Sequence, residues 1–503
     1  MMSGKHRRAS RGLPPLPEAI PAISSAMPPP SSADSTSPSG VAEARSEPAR
    51  TNAGTQRRWL WIVVFVAVLW LVMKAVLFSH WVYTSDLFSL LQMSYSWMDG
   101  KPVLWENCFG QHARIHSYYA VLLFGPLTRF LGAYGLFVGY LALLASAVCV
   151  AIAGLKRPWW YLTFVFGPVS WWIFDDPVFG WHAELLMIPF GILYAEGIRR
   201  DRWWRWVAAA CLCACREEGP VVAWAVFAAA SLGRVRWRKF AAVTAGYTSV
   251  FLILWWKLYA GSHAHEVLAR ITWSGTPIWQ WSCLVAPLLV GCFLARRRSA
   301  LNVAIALLPI AFLTYVGGIQ HYPDIYYGMS WGPRVAMAWA VGLAVMEIDL
   351  HHRTPRWYWS LVFLGWQLVV LYAIRDYRLF SRIWDSDQYR SYVSTTPEEK
   401  HFLRQVAEDM PGRYTIATNG DYFTVFHRQS VAWPARATVE HPDMIVCDTE
   451  KRVLFENGCL QRLSSSGMPT ARVGGLLIGY SPDAAYLFRQ AALPEREQFL
   501  RSK

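Results

Sequence analysis

The chain has 503 residues, of which 54% are hydrophobic and only 16% are charged, and its formal net charge is +14. Soluble domains carry about 25% charged residues, so this composition argues against a soluble protein and predicts an integral membrane protein. The positive charge does not indicate nucleic-acid binding. It lies in the N-terminal tail and in short connectors between apolar runs, where Lys and Arg set the orientation of membrane helices.

The N-terminal part of the chain predicts a tail, a first span and a long outer loop. Residues 1–56 are rich in Pro, Ser, Ala and Arg, which predicts a disordered cytoplasmic tail. Arg57 and Arg58 precede the first span, 59–78, and place its start on the inside. The loop 79–116 then lies outside. Within it, the spacing of apolar residues over 86–98 predicts a helix that lies on the membrane surface.

Basic connectors alternate along the chain with connectors rich in Asp, Glu, His and Tyr, which places the acidic set together on the outer face. The run 117–131 contains Gly125-Pro126 and is interpreted as a juxtamembrane or re-entrant piece, because this interpretation keeps every basic connector inside. Eleven spans then make up a transmembrane domain over 57–376. After the first, they are 134–154, 158–174, 183–199, 206–217, 219–233, 239–260, 278–295, 300–317, 331–350 and 357–376.

Residues 377–503 are far more polar and predict a small extracytoplasmic α/β domain. Four short segments have strand character, and 398–410 has the pattern of an amphipathic helix. The predicted strands are 414–418, 431–433, 444–448 and 475–480. Cys447 and Cys459 could form a disulfide in an oxidising compartment, although their spacing alone does not decide it. The predicted fold class is therefore an all-α polytopic membrane protein with a small C-terminal α/β extracytoplasmic domain.

Two candidate sites lie in the outer loop. Asp86 stands at the start of the predicted surface helix, where it is either a helix cap or a carboxylate that serves as a base or metal ligand. His112 and His116 have the i, i+4 spacing of a metal pair on a helix. The alternative is that the two histidines are ordinary interfacial residues.

Three further constellations follow the loop. Asp175 and Asp176 end one predicted span while His182 and Glu184 open the next, so they either cap helix ends or form a functional site. Arg216, Glu217 and Glu218 separate two short apolar runs and form either an internal ion pair or a substrate or metal site. His321 and Arg334 could bind a phosphate, whereas the tyrosines around them are typical of a membrane interface.

The order of these motifs resembles a bacterial family of predicted membrane proteins, domain of unknown function 2079. The resemblance covers about residues 80–460 and rests on the order of several pieces of sequence, with CREEGP at 215–220 among them. That family is placed among the GT-C-type polytopic glycosyltransferases. Gln111 and Gly180 depart from the family pattern, while His112, His182, Glu184 and Glu217 keep it. The other pieces are SDLFSLLQMSYSWMDGKPVLWEN, FGQH, the G-P-L-x-R-F run at 125–130, GWHAELLMIPF, QHY followed by an apolar span, and TIATNGDYFTVFHRQSVAWPA with MIVCD.

The resemblance implies an enzyme of the bacterial inner membrane that uses a polyprenyl-phosphate-linked sugar and often a divalent metal, Mg or Mn. It implies Asp86 as the catalytic base, and His182 with Glu184 as metal ligands or residues that orient the donor. It implies substrate binding by a further set, His112, Arg216, Glu217, His321 and Arg334, in which the arginines and His321 hold the lipid phosphate. No protein partner is indicated.

Two other functions fit a polytopic chain. One is a transporter or flippase of a lipid-linked envelope precursor, and the other is a non-catalytic envelope-assembly protein. A transporter favours ionisable residues deep within spans. In this sequence they fall mostly at span ends on one face, which favours the glycosyltransferase hypothesis.

Overall fold

The computed structural model describes most of the chain from residue 53 to residue 490. The described residues are 53–79, 86–114, 116–153, 155, 158–176, 180–231, 235–259, 275–295, 297–316, 327–350, 356–373, 396–412, 414–419, 422–434, 439, 441–450 and 458–490. The predicted tail, apart from its last four residues, lies outside them, and so does His321.

Helices occupy each segment that was predicted to span the membrane. They are α1 (Ala53–Ser79), α4 (Ala133–Ile152), α5 (Trp159–Val165), α6 (Pro168–Asp175), α7 (Met187–Arg199), α8 (Arg205–Cys215), α9 (Gly219–Ser231), α10 (Trp237–Tyr259), α11 (Gly275–Ala295), α12 (Arg297–Val316), α13 (Tyr327–Leu350) and α14 (Tyr358–Ala373). The loop and the run 117–131 contribute α2 (Asp86–Tyr95) and α3 (Gly125–Leu131). These positions follow from the apolar runs of the sequence.

The prediction of eleven spans is not confirmed. Among the described helices, three are long and apolar enough to cross a membrane, namely Gln56–Ser79, Ala133–Ile152 and Trp237–Lys257. Other apolar helices are shorter, such as α8 with 11 residues and α9 with 13. At 1.5 Å per residue, α8 is about 16 Å long, roughly half of the ~30 Å hydrocarbon core.

The segment 158–174, predicted as one span, is two helices that meet at Gly167. A Cβ atom on Gly167 would lie 2.2 Å from the carbonyl oxygen of Thr163 and 2.5 Å from Oε1 of Gln367. No side chain fits there. Pro168 follows as the first residue of α6 and cannot donate a helical hydrogen bond. The amide of Gln367 satisfies the broken backbone, since it accepts from Val169 N and donates to Thr163 O.

The centre of the helical region is α7, which packs against α13, α9, α8 and α4. Residues from Met187 to Gly197 are buried with the exception of Leu193, as expected for a helix that is surrounded by others. A Cβ atom on Gly191 would lie 3.1 Å from the carbonyl oxygen of Ala340 in α13. This glycine therefore lets the two central helices approach closely.

The predicted outer loop contains α2, a short hairpin of β1 (Trp105–Glu106) and β2 (Gly110–Gln111), and a 3₁₀ turn at His112–Arg114. Protein covers both faces of α2, because the polar residues Gln92 and Ser94 are buried as well as the leucines. The sequence suggested that one face would lie on the membrane. The structure places that helix inside the protein instead.

The C-terminal region is a five-stranded mixed sheet with α15 (Pro397–Asp409), α16 (Cys459–Ser466) and α17 (Ala485–Gln490). Its strand order is β4-β3-β5-β7-β6, in which β4, β3 and β5 are parallel and β7 runs antiparallel to both neighbours. The strands are β3 (Thr415–Thr418), β4 (Ser430–Ala432), β5 (Met444–Asp448), β6 (Thr470–Val473) and β7 (Leu476–Tyr480). The predicted strands and helix are confirmed, and a disulfide joins Cys447 to Cys459.

The loop covers the edge strand of this sheet. Gln92 donates to the carbonyl oxygen of Val431 at 2.7 Å, and Asn107 donates to the same oxygen at 3.2 Å and to Ser430 Oγ at 2.6 Å. The unpaired backbone groups of an exposed edge strand can pair with a strand of another protein chain. The side-chain amides of Gln92 and Asn107 thus hydrogen-bond to the edge strand β4 and join the loop to the sheet.

Candidate functional site

A three-residue break between α8 and α9 holds the charged residues at the centre of the site. Arg216 is fully extended (φ −170°, ψ 169°), which ends α8, and α9 begins at Gly219-Pro220. A Cβ atom on Gly219 would lie 2.0 Å from the carbonyl oxygen of Leu212, so the two helices approach as closely as backbone allows. The break is therefore tight and its three side chains are enclosed by the surrounding helices.

These side chains belong to a buried network, which we call the arginine–glutamate cluster: Glu184, Arg216, Glu217, Glu218 and Arg334. Arg216 bonds Glu184 through Nη1, and its Nε lies 3.1 Å from Oε1 of Glu217 and 2.9 Å from Oε2 of Glu218. The carboxylates are almost completely buried, with Glu184 at 0% exposure and Glu217 at 4%. Burying such charges is costly unless they are paired, and here each one is paired.

The outer loop reaches the cluster through His116. Its Nδ1 lies 2.9 Å from Oε1 of Glu217, and the backbone N–H of Ser117 donates to the other oxygen at 3.4 Å. The rings of His112 and His116 lie 5.7 Å apart and both pack on Tyr118. The two histidines are therefore neighbours, as the i, i+4 spacing predicted, although a 3₁₀ turn rather than an α-helix places them.

His112 lies beside Glu106 and next to His116, which contacts the cluster. Its Nδ1 is 3.7 Å from Oε1 of Glu106, beyond hydrogen-bond length, and the carboxylate of Glu106 accepts from the backbone N–H groups of Cys108 and Phe109. Burial lowers the pKa of His112 from its ordinary value, while the Glu106 carboxylate acts in the opposite direction. The imidazole is therefore favoured in its neutral form, which can both donate and accept a hydrogen bond.

A small pocket of about 10 Å³, with room for about one water molecule, adjoins the cluster. Its polar residues are Asp176 and His182, whose Oδ2 and Nε2 atoms lie 2.9 Å apart. Its apolar walls include Trp172, Leu185 and Pro333. The pocket meets the cluster along two stretches of chain, since Glu184 follows His182 by two positions and Arg334 follows Pro333.

A buried lysine supports the segment that carries Asp176. Lys74 of α1 is completely buried and donates to the carbonyl oxygens of Phe174, at 2.9 Å, and Asp175, at 2.5 Å. These are terminal carbonyls of α6, which a cation satisfies well. Asp176 follows in the left-handed conformation at φ 42°, an uncommon one for an aspartate. Lys74 thus caps α6 where the chain turns toward His182.

Arg334 completes the cluster from α13. Its Nη2 lies 2.9 Å from Oε1 of Glu218. A guanidinium has five N–H donors, and Glu218 is the carboxylate that it meets among the described residues. Its Nη1 lies 3.5 Å from Sδ of Met337, which is only a weak acceptor.

No protein-family model, curated protein or solved structure matches this chain. The interpretation of the site consequently rests on its own geometry and chemistry.

The structure brings together most of the residues that the sequence singled out. Glu184, Arg216, Glu217 and Arg334 are members of one cluster, His182 lies in the adjoining pocket, and His112 lies beside His116. The predicted internal ion pair of Arg216 is present, and it extends to three carboxylates rather than one. Asp86 is the first residue of α2, but its side chain lies outside the described residues, as does the whole of His321.

The predicted metal ligands have other partners. His182 lies against Asp176, while Glu184 bonds Arg216. Across the described ranges, no group of three His, Cys, Asp or Glu residues is arranged to hold a metal ion. His182 and Glu184, with these partners, do not fit a metal site. The reaction proposed below therefore uses no metal.

Three features were not predicted from the sequence, namely Lys74, Glu106 and a second buried ion-pair group. In that group Glu196 and Glu347 are both completely buried and share Arg199. A single Lys within the apolar run of α1 was the signal that could have identified Lys74, because ionisable residues inside spans are rare and have a role. Glu106 gave no such signal, since it lies in a polar loop.

Proposed function

We propose that this chain is a membrane glycosyltransferase that moves a sugar from a polyprenyl-phosphate-linked donor to an envelope acceptor on the extracytoplasmic face. The observation that carries the proposal is the arginine–glutamate cluster beside the pocket of Asp176 and His182. Four separate segments of the chain contribute to this region, 172–176, 182–185, 216–218 and 332–336. Ionisable groups that are buried among membrane helices are candidates for a functional site.

The residue types around the pocket and the cluster would suit a donor that joins an apolar chain to a phosphate and a sugar, and the pocket would have to widen to admit it. Trp172, Leu185 and Pro333 offer apolar and aromatic surface, and Asp176 and His182 offer polar groups for sugar hydroxyls. Arg334, with donors beyond those that Glu218 engages, would meet the phosphate. Glu184 and Glu217 would hold Arg216 in place, which makes them positioning residues in this proposal.

The reaction in this proposal is a displacement at the anomeric carbon. The acceptor hydroxyl forms the new C–O bond, the bond between the anomeric carbon and the phosphate oxygen breaks, and polyprenyl phosphate leaves with the electron pair. Asp86 would take the proton of the hydroxyl. General-base catalysis of this kind contributes about 10²–10⁴-fold to a rate.

Envelope glycan mass spectrometry tests this function. A strain that lacks the gene is complemented with wild type, with Asp86→Asn, or with Asp201→Asn as the control. Asp201 is an exposed acid that pairs with Arg205 on a connector away from the pocket. We expect loss of one envelope sugar in the deletion strain and its return with wild type and Asp201→Asn. Its return with Asp86→Asn at equal membrane levels would contradict the role of Asp86.

A transporter or flippase is the second candidate, and a specific observation favours it. Lys74 is buried within α1, and Glu196 and Glu347 are buried within α7 and α13. Ionisable residues inside membrane helices are typical of transport pathways. Loss of an envelope sugar would follow from either function. Only a glycosyltransferase, however, breaks the bond between the sugar and the lipid phosphate of the donor.

A further inference from the structure

A second pocket lies between the helical region and the C-terminal sheet. It is open, has a volume of about 510 Å³, and is lined by the end of α1, the start of α4, α15 and the segment that leads into β4. The residues used below are Phe78, Ser79, Tyr134, Arg404, His427 and Arg428. None of them belongs to the arginine–glutamate cluster or to its pocket.

The charges that face this pocket are mainly positive. Arg404 and Arg428 are exposed, and one acid, Glu408, lines the pocket with them. Arg404 donates to the carbonyl oxygen of Ser79 at 2.7 Å, so it is held at the end of α1. For Arg428, no ion pair with an acidic residue is found in the part of the chain that the structure describes. A pocket with two guanidinium groups and one carboxylate attracts an anion.

His427 forms the inner wall. Its ring packs edge-on against Phe78 and Tyr134, with centroids 5.2 Å and 5.7 Å away. Its Nδ1 is buried and has no hydrogen-bond partner among the described residues. That nitrogen faces the backbone at Gly132, where an added Cβ atom would lie 2.4 Å from it, so the pocket meets the other atoms of the ring.

The pocket lies at the level where two candidate spans end. Ser79 is the last residue of the span Gln56–Ser79, and Tyr134 is the second residue of the span Ala133–Ile152. Phe130 is 79% exposed and Leu131 is 44% exposed, and both directly precede this end of α4. Apolar side chains so exposed in a membrane protein face lipid. The two arginines are consequently placed at the depth of the lipid headgroups.

We propose that this pocket binds the headgroup of an anionic membrane phospholipid. The phosphate would meet Arg404 and Arg428, the polar end of the headgroup would meet His427, and the acyl chains would follow the exposed apolar surface beside Phe130. The lipid would then join the C-terminal sheet to the ends of α1 and α4. This proposal is independent of the proposed glycosyl transfer.

Native mass spectrometry of the purified full-length chain tests the proposal. The probes are phosphatidylglycerol and phosphatidylcholine with identical acyl chains. We expect wild type to bind phosphatidylglycerol more tightly. Arg428→Gln should weaken that binding about fivefold, equivalent to about 1 kcal/mol per cationic side chain near a charged membrane, and leave phosphatidylcholine binding unchanged. Arg428→Lys should keep most of the preference because it keeps the charge.

Arg472→Gln is the matched control, because Arg472 is an exposed arginine on β6 of the same sheet. It should bind both lipids as wild type does. Equal binding of the two lipids by wild type would overturn the proposal, and so would equal losses in Arg428→Gln and Arg472→Gln. Displacement of phosphatidylglycerol by inorganic phosphate, but not by chloride at equal ionic strength, would assign the pocket to a soluble phosphate and overturn the lipid.

Discussion

Arg216 is the residue that keeps the buried carboxylates together. It meets Glu184, Glu217 and Glu218, so removing its charge would leave those three without their common partner. Breaking a buried pair by removing one partner costs about 3–5 kcal/mol. A loss of activity in Arg216 variants would thus report on folding as much as on chemistry. Asp86, at the first position of α2, is the more informative residue to change.

His427 gives the protein a pH-dependent contribution to stability. Burial, together with the positive charge of Arg428, lowers the pKa of His427 to about 4, below the ~6.5 of an unfolded histidine. The unfolded chain therefore binds the proton more tightly, and the contribution is fully present above about pH 6.5 and is lost as the pH falls toward 4. By pH 5 the loss is at most about 2 kcal/mol.

We expect the unfolding temperature of wild type to fall between pH 7 and pH 5 by more than that of His427→Gln. Thermal unfolding in detergent at the two pH values measures this difference. His401→Gln changes an exposed histidine on α15 and should follow wild type. An equal fall in wild type and His427→Gln would show that His427 does not contribute to the pH dependence.

At the scale of elements, the positions of the helices could be predicted from the sequence but their lengths as spans could not. Apolar runs locate α8 and α9, which end within two residues of the predicted bounds. They do not show that Gly219 and Leu212 are in backbone contact. That contact depends on tertiary packing, and so does the break at Gly167, where a neighbouring helix supplies Gln367.

The turn between α8 and α9 depends on the absence of a side chain at Gly219. Gly219→Ala would bring a Cβ atom to 2.0 Å from the carbonyl oxygen of Leu212, so backbone must shift. We expect a loss of about 1–3 kcal/mol, as for other overpacked positions, and a lower unfolding temperature. Gly246→Ala is the control, because nothing lies within 4 Å of its Cβ position in α10. That variant should be neutral or more stable by about 0.5–1 kcal/mol. Equal unfolding temperatures for the two variants would contradict this account of the turn.

At the scale of the whole molecule, the contacts that build the site join segments far apart in the chain. His116 meets Glu217 across 101 positions, and Arg334 meets Glu218 across 116. Hydrophobic periodicity describes one segment at a time and does not show which segments pack together. The sequence could therefore nominate Glu184, Arg216, Glu217 and Arg334 separately, without showing that they form one cluster. Four of the five strands could be predicted because each is a short local run, whereas β6 and the order of the strands in the sheet could not.

In the proposed function, the chain breaks the bond between the sugar and the lipid phosphate. The most direct measurement is mass spectrometry of polyprenyl phosphates after purified protein in detergent is mixed with a lipid and envelope extract from the deletion strain. Detergent removes the compartments that a transporter needs, so only chemistry can change the donor. We predict that wild type converts the polyprenyl-phosphate-linked sugar to polyprenyl phosphate and glycosylated acceptor, and that Asp86→Asn does not. A donor that stays intact with wild type, while the same preparation restores the envelope sugar in cells, would contradict the account and favour transport.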